Sequence, residues 1–389
     1  MGQPDAAQCK CRDAQDRGAA AVTGGEALFI GAEVYRGSSY GGAHPLRIPR
    51  VPVVMDLARA LGWLDGRYRT SPKAKPAALT AFHTPEYIAA LLRAEAEGAV
   101  DAGTRARHQI GTASNPVFPQ IYSRPATGAG GVLLAADMLA QGAGRIYVPG
   151  GGTHHGMPDR ANGFCYLNDP VLGILSFLRA GLRVAYVDID AHHADGVEPV
   201  FAGRDDVLMI SVHEEARWPF TGALAEDAGG NAFNLPVPKG FNDTEMRAVR
   251  EELILPRVAA FRPDVIVLQA GADSLLEDPL SRLCLSNRAY IGVLRGLLPL
   301  AERFLLLGGG GYNPWSVGRC WTALWGVLAG FELPLRLPEA ACAVLRGLSW
   351  NGGGRALPGA AMMETLLDPA REGMLRDEVK ARLEALARR

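Results

Sequence analysis

From residue 145 onward, short apolar runs alternate with longer stretches of helical apolar spacing. The runs are RIYVPG at 145–150, RVAYVDID at 183–190, VLMISVH at 207–213, DVIVLQAGAD at 264–273 and FLLLGGGGY at 304–312. Helical patterns stand between most of them, at 168–181, 243–261 and 286–304. This alternation predicts an α/β fold with a mainly parallel sheet covered by helices on both faces. Earlier, ALFIGAEVY at 27–35 reads as a first buried strand, and 36–52 as a long loop rich in Gly, Pro and Ser, of a length that often carries function. A helix is expected at 53–64. A second, at 84–98, has Thr84 as N-cap, Pro85 in the first helical position and Gly98 as its stop. Residues 111–131 read as loop ahead of a helix at 132–140. The expected organisation is a disordered tail at 1–25, one domain at 26–368 and a charged C-terminal helix at 369–389, serving as a solvated face or a packing arm.

In a parallel α/β sheet, ligands bind outside the carboxyl ends of the strands. The unusual residues fall there: GGTHHG at 151–156, DIDAHHADG at 188–196, His213, Asp273 and GGGGYN at 308–313. If the pleat continued beyond 188, Asp188, Asp190 and His192 would share one face, with carboxylates roughly 7 Å apart. Buried together without a partner they would repel and lose hydration; a cation removes the conflict. His193 and Asp195 follow at once, and three Asp with two His in eight residues favour a metal site over an exposed polar loop. Asp190, His192 and Asp273 are the expected ligands, a nitrogen and oxygen set without thiolate that suits zinc or iron(II). Asp273 has a competing reading as a helix N-cap, and Asp188 is better placed to orient a histidine from behind. His154 and His155 offer a general base and a second imidazole, against the plain alternative of satisfied core histidines. Tyr312, in the Gly run, offers a hydroxyl to a developing oxyanion. Phe164, after Gly163, and Trp218 read as walls of a narrow channel, although single aromatics more often belong to a core.

Composition narrows the partners. The 389 residues are 48% hydrophobic and carry 40 basic against 41 acidic residues, a net charge of −1. No general electrostatic footprint for nucleic acid or an anionic membrane exists at that balance, though a local patch stays open. The N-terminal sequence has no apolar signal region, no stretch approaches eighteen uninterrupted apolar residues, and Ala6 breaks a myristoylation signal. Six cysteines, at 9, 11, 165, 284, 320 and 342, show no CxxC pairing. These features predict a soluble cytoplasmic protein; oligomeric state stays open.

With those residues in view, the chain resembles the zinc-dependent histone deacetylase family, particularly its class I branch and the bacterial acetoin-utilisation proteins. The resemblance rests on NPVF at 115–118, GGTHHGMPDRANGFCYLND at 151–169, VDIDAHHADGVE at 187–198, SVHE at 211–214, LQAGAD at 268–273 and GGGGYN at 308–313. It implies the arginase-deacetylase fold, with an eight-stranded parallel sheet. It implies zinc on Asp190, His192 and Asp273, and tandem histidines His154 and His155 backed by Asp188 and Asp195. His155 is expected as base and then acid, Tyr312 as the transition-state hydroxyl, and Gly163, Phe164 and Trp218 as the acyl-chain channel. It further implies structural potassium at Asp188, Asp190, His192, Ser211 and Val212, and places Arg50 near an internal exit for acetate. Ser114 stands where peptide-acting members carry an Asp, and GGTHH replaces the Pro-rich sequence usual before the histidines of acetylpolyamine amidohydrolases. The expected activity is deacetylation of an N-acetylated primary amine, lysine-like or a small molecule. The alternatives are acetylpolyamine hydrolysis, a binuclear manganese ureohydrolase suggested by DAHHAD, and a silent binder of acylated ligands.

Overall fold

The computed structural model describes residues 27–42, 44–142, 144–350 and 358–389, so the expected disordered tail, with Cys9 and Cys11, lies outside the described residues. Eight strands form one sheet: β1 (Leu28–Gly31), β2 (Tyr68–Thr70), β3 (Gly144–Val148), β4 (Val184–Asp188), β5 (Val207–Glu214), β6 (Ala232–Val237), β7 (Val265–Gln269) and β8 (Arg303–Leu307). Their order is β2-β1-β3-β8-β7-β4-β5-β6, and every neighbouring pair is parallel. The expected arginase-deacetylase architecture is therefore present. Alternate residues fill the two faces. Ala185, Val187, Ile266, Leu268 and Leu306 join the core on one side, and Val184, Tyr186, Val265, Val267 and Leu305 the core on the other. Burial on both faces explains why these strands read as continuous apolar runs.

Several element boundaries differ from the sequence expectation. The first strand ends at Gly31, and Val34–Gly37 forms a helical turn. The helix expected at 53–64 runs Val51–Ala60, whereas Pro85–Glu97 keeps its Thr84 cap and left-handed Gly98 as expected. The last nine residues of the stretch 111–131 read as loop belong to a helix, Ser123–Gln141. Its glycines lower helix propensity, yet a Cβ on Gly130 would collide with the Pro72 carbonyl, so close packing selects them. The 286–304 pattern ends its helix at Leu297, because Pro299 follows and β8 begins at Arg303. Two strands, β2 and β6, have no counterpart among the apolar runs. β6 carries Asn234 and Pro236, and proline is tolerated there because the strand lies at the sheet edge.

The C-terminal helix spans Asp377–Ala387 and is a packing arm. It buries Val379, Leu383 and Leu386, each contributing about 2 kcal/mol. Arg382 donates to the Pro236 carbonyl at 2.5 Å, so the arm also satisfies a backbone acceptor of the β6 edge.

A candidate metal centre at the strand ends

The chain runs from β3 to β4 past the two positions later taken by β8 and β7, and the crevice over these four adjacent strands gathers the predicted residues. The β3 end leads to His154 and His155, β4 to Asp188 and Asp190, β7 to Asp273, and β8 to Tyr312.

The pleat does not continue past Asp188; the chain turns there, which separates two carboxylates that the sequence placed in one row. Asp190, His192 and Asp273 converge, with their ligand atoms all within 4.8 Å of one another. The His192 Nδ1 lies 3.2 Å from Asp190 Oδ1 and 3.0 Å from Asp273 Oδ2, so Nδ1 is the nitrogen offered to a metal. The remaining oxygens are held by backbone N–H groups: Gly310 donates to Asp190 Oδ2 at 2.7 Å, and Ala191 to Asp273 Oδ1 at 3.0 Å. A side chain on Gly310 would strike Asp273, which is what the Gly run is for. Asp273 sits in a short turn, Ala272–Ser274, and caps no helix with its side chain.

Both carboxylates are buried, and among the described residues no arginine or lysine reaches either one. Burial and the nearby charge of Asp190 push the Asp273 carboxyl up. Burial would also raise Asp190, but the His154 and His192 imidazoles outweigh it and hold that carboxyl well below the usual range. Two buried carboxylates and an imidazole with no arginine or lysine beside them fit a divalent metal, and the absence of sulfur fits zinc or iron(II).

Asp188 turns instead to His154, whose Nδ1–H donates to Oδ2 at 2.7 Å, while the Tyr186 hydroxyl donates to the same oxygen at 2.6 Å. His155 makes the parallel pair, donating from Nδ1 to Asp195 Oδ1 at 2.6 Å, and Asn162 holds the other Asp195 oxygen at 3.0 Å. The ring centroids of the two histidines are 3.9 Å apart, yet their environments diverge. Burial opposes charge on His154, but the Asp188 and Asp190 carboxylates win and raise it to about 9. Burial and the His154 charge together lower His155 to about 4. The two adjacent imidazoles thus differ in their readiness to hold a proton, His155 being the one pushed towards the neutral form.

The proposed channel residues also meet. The Trp218 ring lies 4.6 Å from that of His155, and the Phe164 ring 5.9 Å from that of Tyr312. Gly163 has φ +51°, and a Cβ there would run into Trp218, so only glycine lets that wall close. Phe164 is itself left-handed at φ +68°, held by Asn115 Oδ1, which accepts from its N–H at 3.0 Å, and by Tyr40, whose hydroxyl donates to its carbonyl. Burial and the Asp273 charge keep Tyr312 protonated far above neutral pH, as a hydrogen-bond donor must be. Ser211 lies beside Asp188 in register across β5 and β4, with Val212 next in the strand. The 36–52 loop lines the crevice, with Arg50 Nη1 donating to the Gly309 carbonyl at 2.6 Å.

Sequence reading missed the supports. Asp169 accepts from the backbone N–H groups of Gly152 and Thr153 and from the Thr153 hydroxyl. Asn168 caps its helix and donates to the carbonyls of His154 and Gly156. Asp278 accepts from the Tyr312 N–H at 2.6 Å. Only Asn168 carried a local signal, as a capping residue ahead of a helical pattern.

Comparison with known proteins agrees with this geometry. Residues 44–328 match the model of the histone deacetylase domain. Histone deacetylase 9 of Arabidopsis thaliana is 36% identical over 309 residues, covering 77% of this chain and 72% of that protein. The acetoin utilization protein AcuC of Bacillus subtilis is 33% identical over 328 residues, covering 79% and 84%. The crystal structure of a histone deacetylase homologue complexed with SAHA superposes with a TM-score of 0.87 at 35% identity, covering 93% of this chain and all of that one; that of the homologue from Aquifex aeolicus does so equally. With the sheet order, the buried triad and the paired histidines already in place, this chain belongs to the histone deacetylase family and is a hydrolase that deacetylates amides.

Proposed function

We propose that the protein is a zinc-dependent amidohydrolase that removes the acetyl group from N-acetylated primary amines, lysine-like or small, and releases acetate. The observation that carries it is the buried triad of Asp190, His192 and Asp273 beside two histidines that are each backed by a carboxylate. Zinc, held by those three side chains, supplies Lewis acidity toward the acyl carbonyl. Phe164 and Trp218 guide the extended chain, and the Tyr312 hydroxyl donates to the carbonyl oxygen as negative charge develops. His155, whose Nδ1–H is committed to Asp195, presents Nε2 to take a proton from the attacking water. The same nitrogen then returns the proton to the leaving amine, while His154, anchored on Asp188, stabilises the developing charge. A potassium ion beside Asp188, using Ser211 and the backbone of Asp190, His192 and Val212, belongs to the same proposal.

Substrate size follows from the entrance. Ser114 lines the mouth with a hydroxyl where a carboxylate anchor for a substrate backbone would stand, and its carbonyl is engaged by His44 Nε2 at 3.1 Å. That favours a small acylated amine over a peptide. A reducing cytoplasm suits Cys165, Cys320 and Cys342, which are buried thiols. The test is turnover of acetyl-lysine peptide, free acetyl-lysine, acetylputrescine and a neutral acyl amide by zinc-loaded and by iron(II)-loaded protein. Cleavage of the small amines above the peptide is expected; preference for the peptide overturns the substrate reading, and greater activity with iron(II) overturns the zinc assignment.

A further inference from the structure

Outside the aromatic constriction the crevice opens into a basin of about 780 Å³, wider than an alkyl chain requires. The far end of an acylated amine lies there once its acyl group is at the metal site. The polar lining is Gln109, Thr112, Ser114, Asn162, Arg160 and Arg217, and among the described residues that line the basin there is no aspartate or glutamate. The two guanidinium groups differ in what holds them. Arg217 is fixed: its Nη1 donates to the Leu280 carbonyl at 2.7 Å and its Nη2 to Glu214 Oε1 at 2.9 Å. Glu214 is buried and does not reach the basin, so that pair presents its positive member to the lining. Arg160 is held only by the neighbouring Asp159, whose Oδ1 accepts from Nη1 at 3.1 Å, and both side chains are about half exposed, at 46% and 50%. An ion pair so exposed contributes little and breaks readily. Arg160 can therefore exchange Asp159 for another carboxylate at small cost, whereas an ammonium entering the basin meets two guanidinium groups and no carboxylate in the lining.

We propose that the basin selects acylated amines whose far end carries a carboxylate, with Arg160 as the group that receives it and Arg217 adding a fixed positive charge to the same lining. A planar guanidinium suits this task because it donates two N–H bonds to a carboxylate in one plane. The substrate class is that of acylated amino acids, with the amide at one end of the chain and a carboxylate at the other, rather than acylated diamines or polyamines. The link to turnover rests on the amide-hydrolase reading of the metal site; the charge preference of the basin rests on its lining alone.

Three amides of similar chain length separate the charges. The compound ω-acetamidohexanoate ends in a carboxylate, side-chain acetylated lysine in a carboxylate and an ammonium, and acetylcadaverine in an ammonium alone. With the zinc-loaded full-length chain, kcat/KM should fall in that order, by about tenfold from first to last, as one exposed attraction replaced by a repulsion implies. The difference should lie mainly in KM, because the contact is made in the ground state and the transition state alike. Raising the salt from about 0.05 M to about 0.5 M should narrow the spread. Arg160→Gln should narrow it as well, and Arg160→Glu should invert the order. Arg160 is the position to change because removing Arg217 would leave the buried Glu214 unpaired and endanger the fold. Equal kcat/KM for the three amides, or a preference for acetylcadaverine, overturns the proposal in the unaltered protein without recourse to any variant. An order that survives Arg160→Glu unchanged overturns it too. Calorimetric binding of the same amides to metal-stripped protein keeps the two readings apart. The same charge order in Kd, with none of the amides hydrolysed by the zinc-loaded chain, would remove the hydrolase reading and leave the selectivity of the basin standing.

Discussion

On the floor of the crevice, every functional side chain is fixed by at least one further group. His154 is held by Asp188, Asp188 by Tyr186, His155 by Asp195, Asp195 by Asn162, and Tyr312 through its backbone by Asp278. At the mouth, Trp218 is 37% and Phe220 74% exposed, and Ser114 adds an uncharged side chain to the lining. The floor spends buried polar groups on geometry, which serves a reaction whose charge develops at one place. The mouth leaves its surface weakly specified. Reaction type is therefore written in the floor, while the identity of the amine depends on a few contacts at the rim.

The largest effects should come from the floor. His155→Ala is expected to lower kcat by about 10³-fold, within the range for a lost general acid–base, with metal content unchanged by elemental analysis. Asp190→Asn should cost at least as much and also release metal, which separates ligand from base. Tyr312→Phe, read in kcat with KM nearly constant, should cost about 10²-fold or more. One step back, Asp195→Asn should cost about 10–100-fold, through the orientation of His155. Phe220→Ala at the mouth should change kcat/KM by less than about threefold, because an exposed ring contributes little packing. A comparable loss at the mouth and the floor would break the contrast.

The smallest effect tests a support of the floor through pH. His83 donates from Nδ1 to the Met157 carbonyl at 3.0 Å and accepts at Nε2 from the Asn168 N–H at 2.9 Å. A proton on Nε2 would set two donors face to face, and burial lowers this imidazole to about 4. The unfolded side chain, near 6.5, binds that proton first, so stability falls as pH drops from about 6.5 to about 4. The cost reaches up to about 3 kcal/mol. Denaturant titrations at both ends of that window should show a shallower pH slope for His83→Gln by about one proton.

These residues also mark how far the sequence could be read. Six of the eight strands were visible as apolar runs because the sheet is covered on both faces, and the motif residues were visible because they follow those runs directly. β2, three residues long, and β6, interrupted by Asn234 and Pro236, had no such pattern. The Gly-rich start of the helix Ser123–Gln141 was hidden because packing against Pro72 overrides propensity. His83 and Asp278 were silent for a different reason. Their meaning lies in partners 85 and 34 positions away, which no local spacing encodes.

The central claim is that one metal ion, on Asp190, His192 and Asp273, serves the whole reaction. It is tested most directly by adding zinc in sub-stoichiometric steps to metal-stripped protein and following deacetylation of an acetylated primary amine. Activity should rise in proportion and level off at one equivalent per chain. A plateau at two equivalents, or activity that appears only with manganese, would contradict the single-metal account.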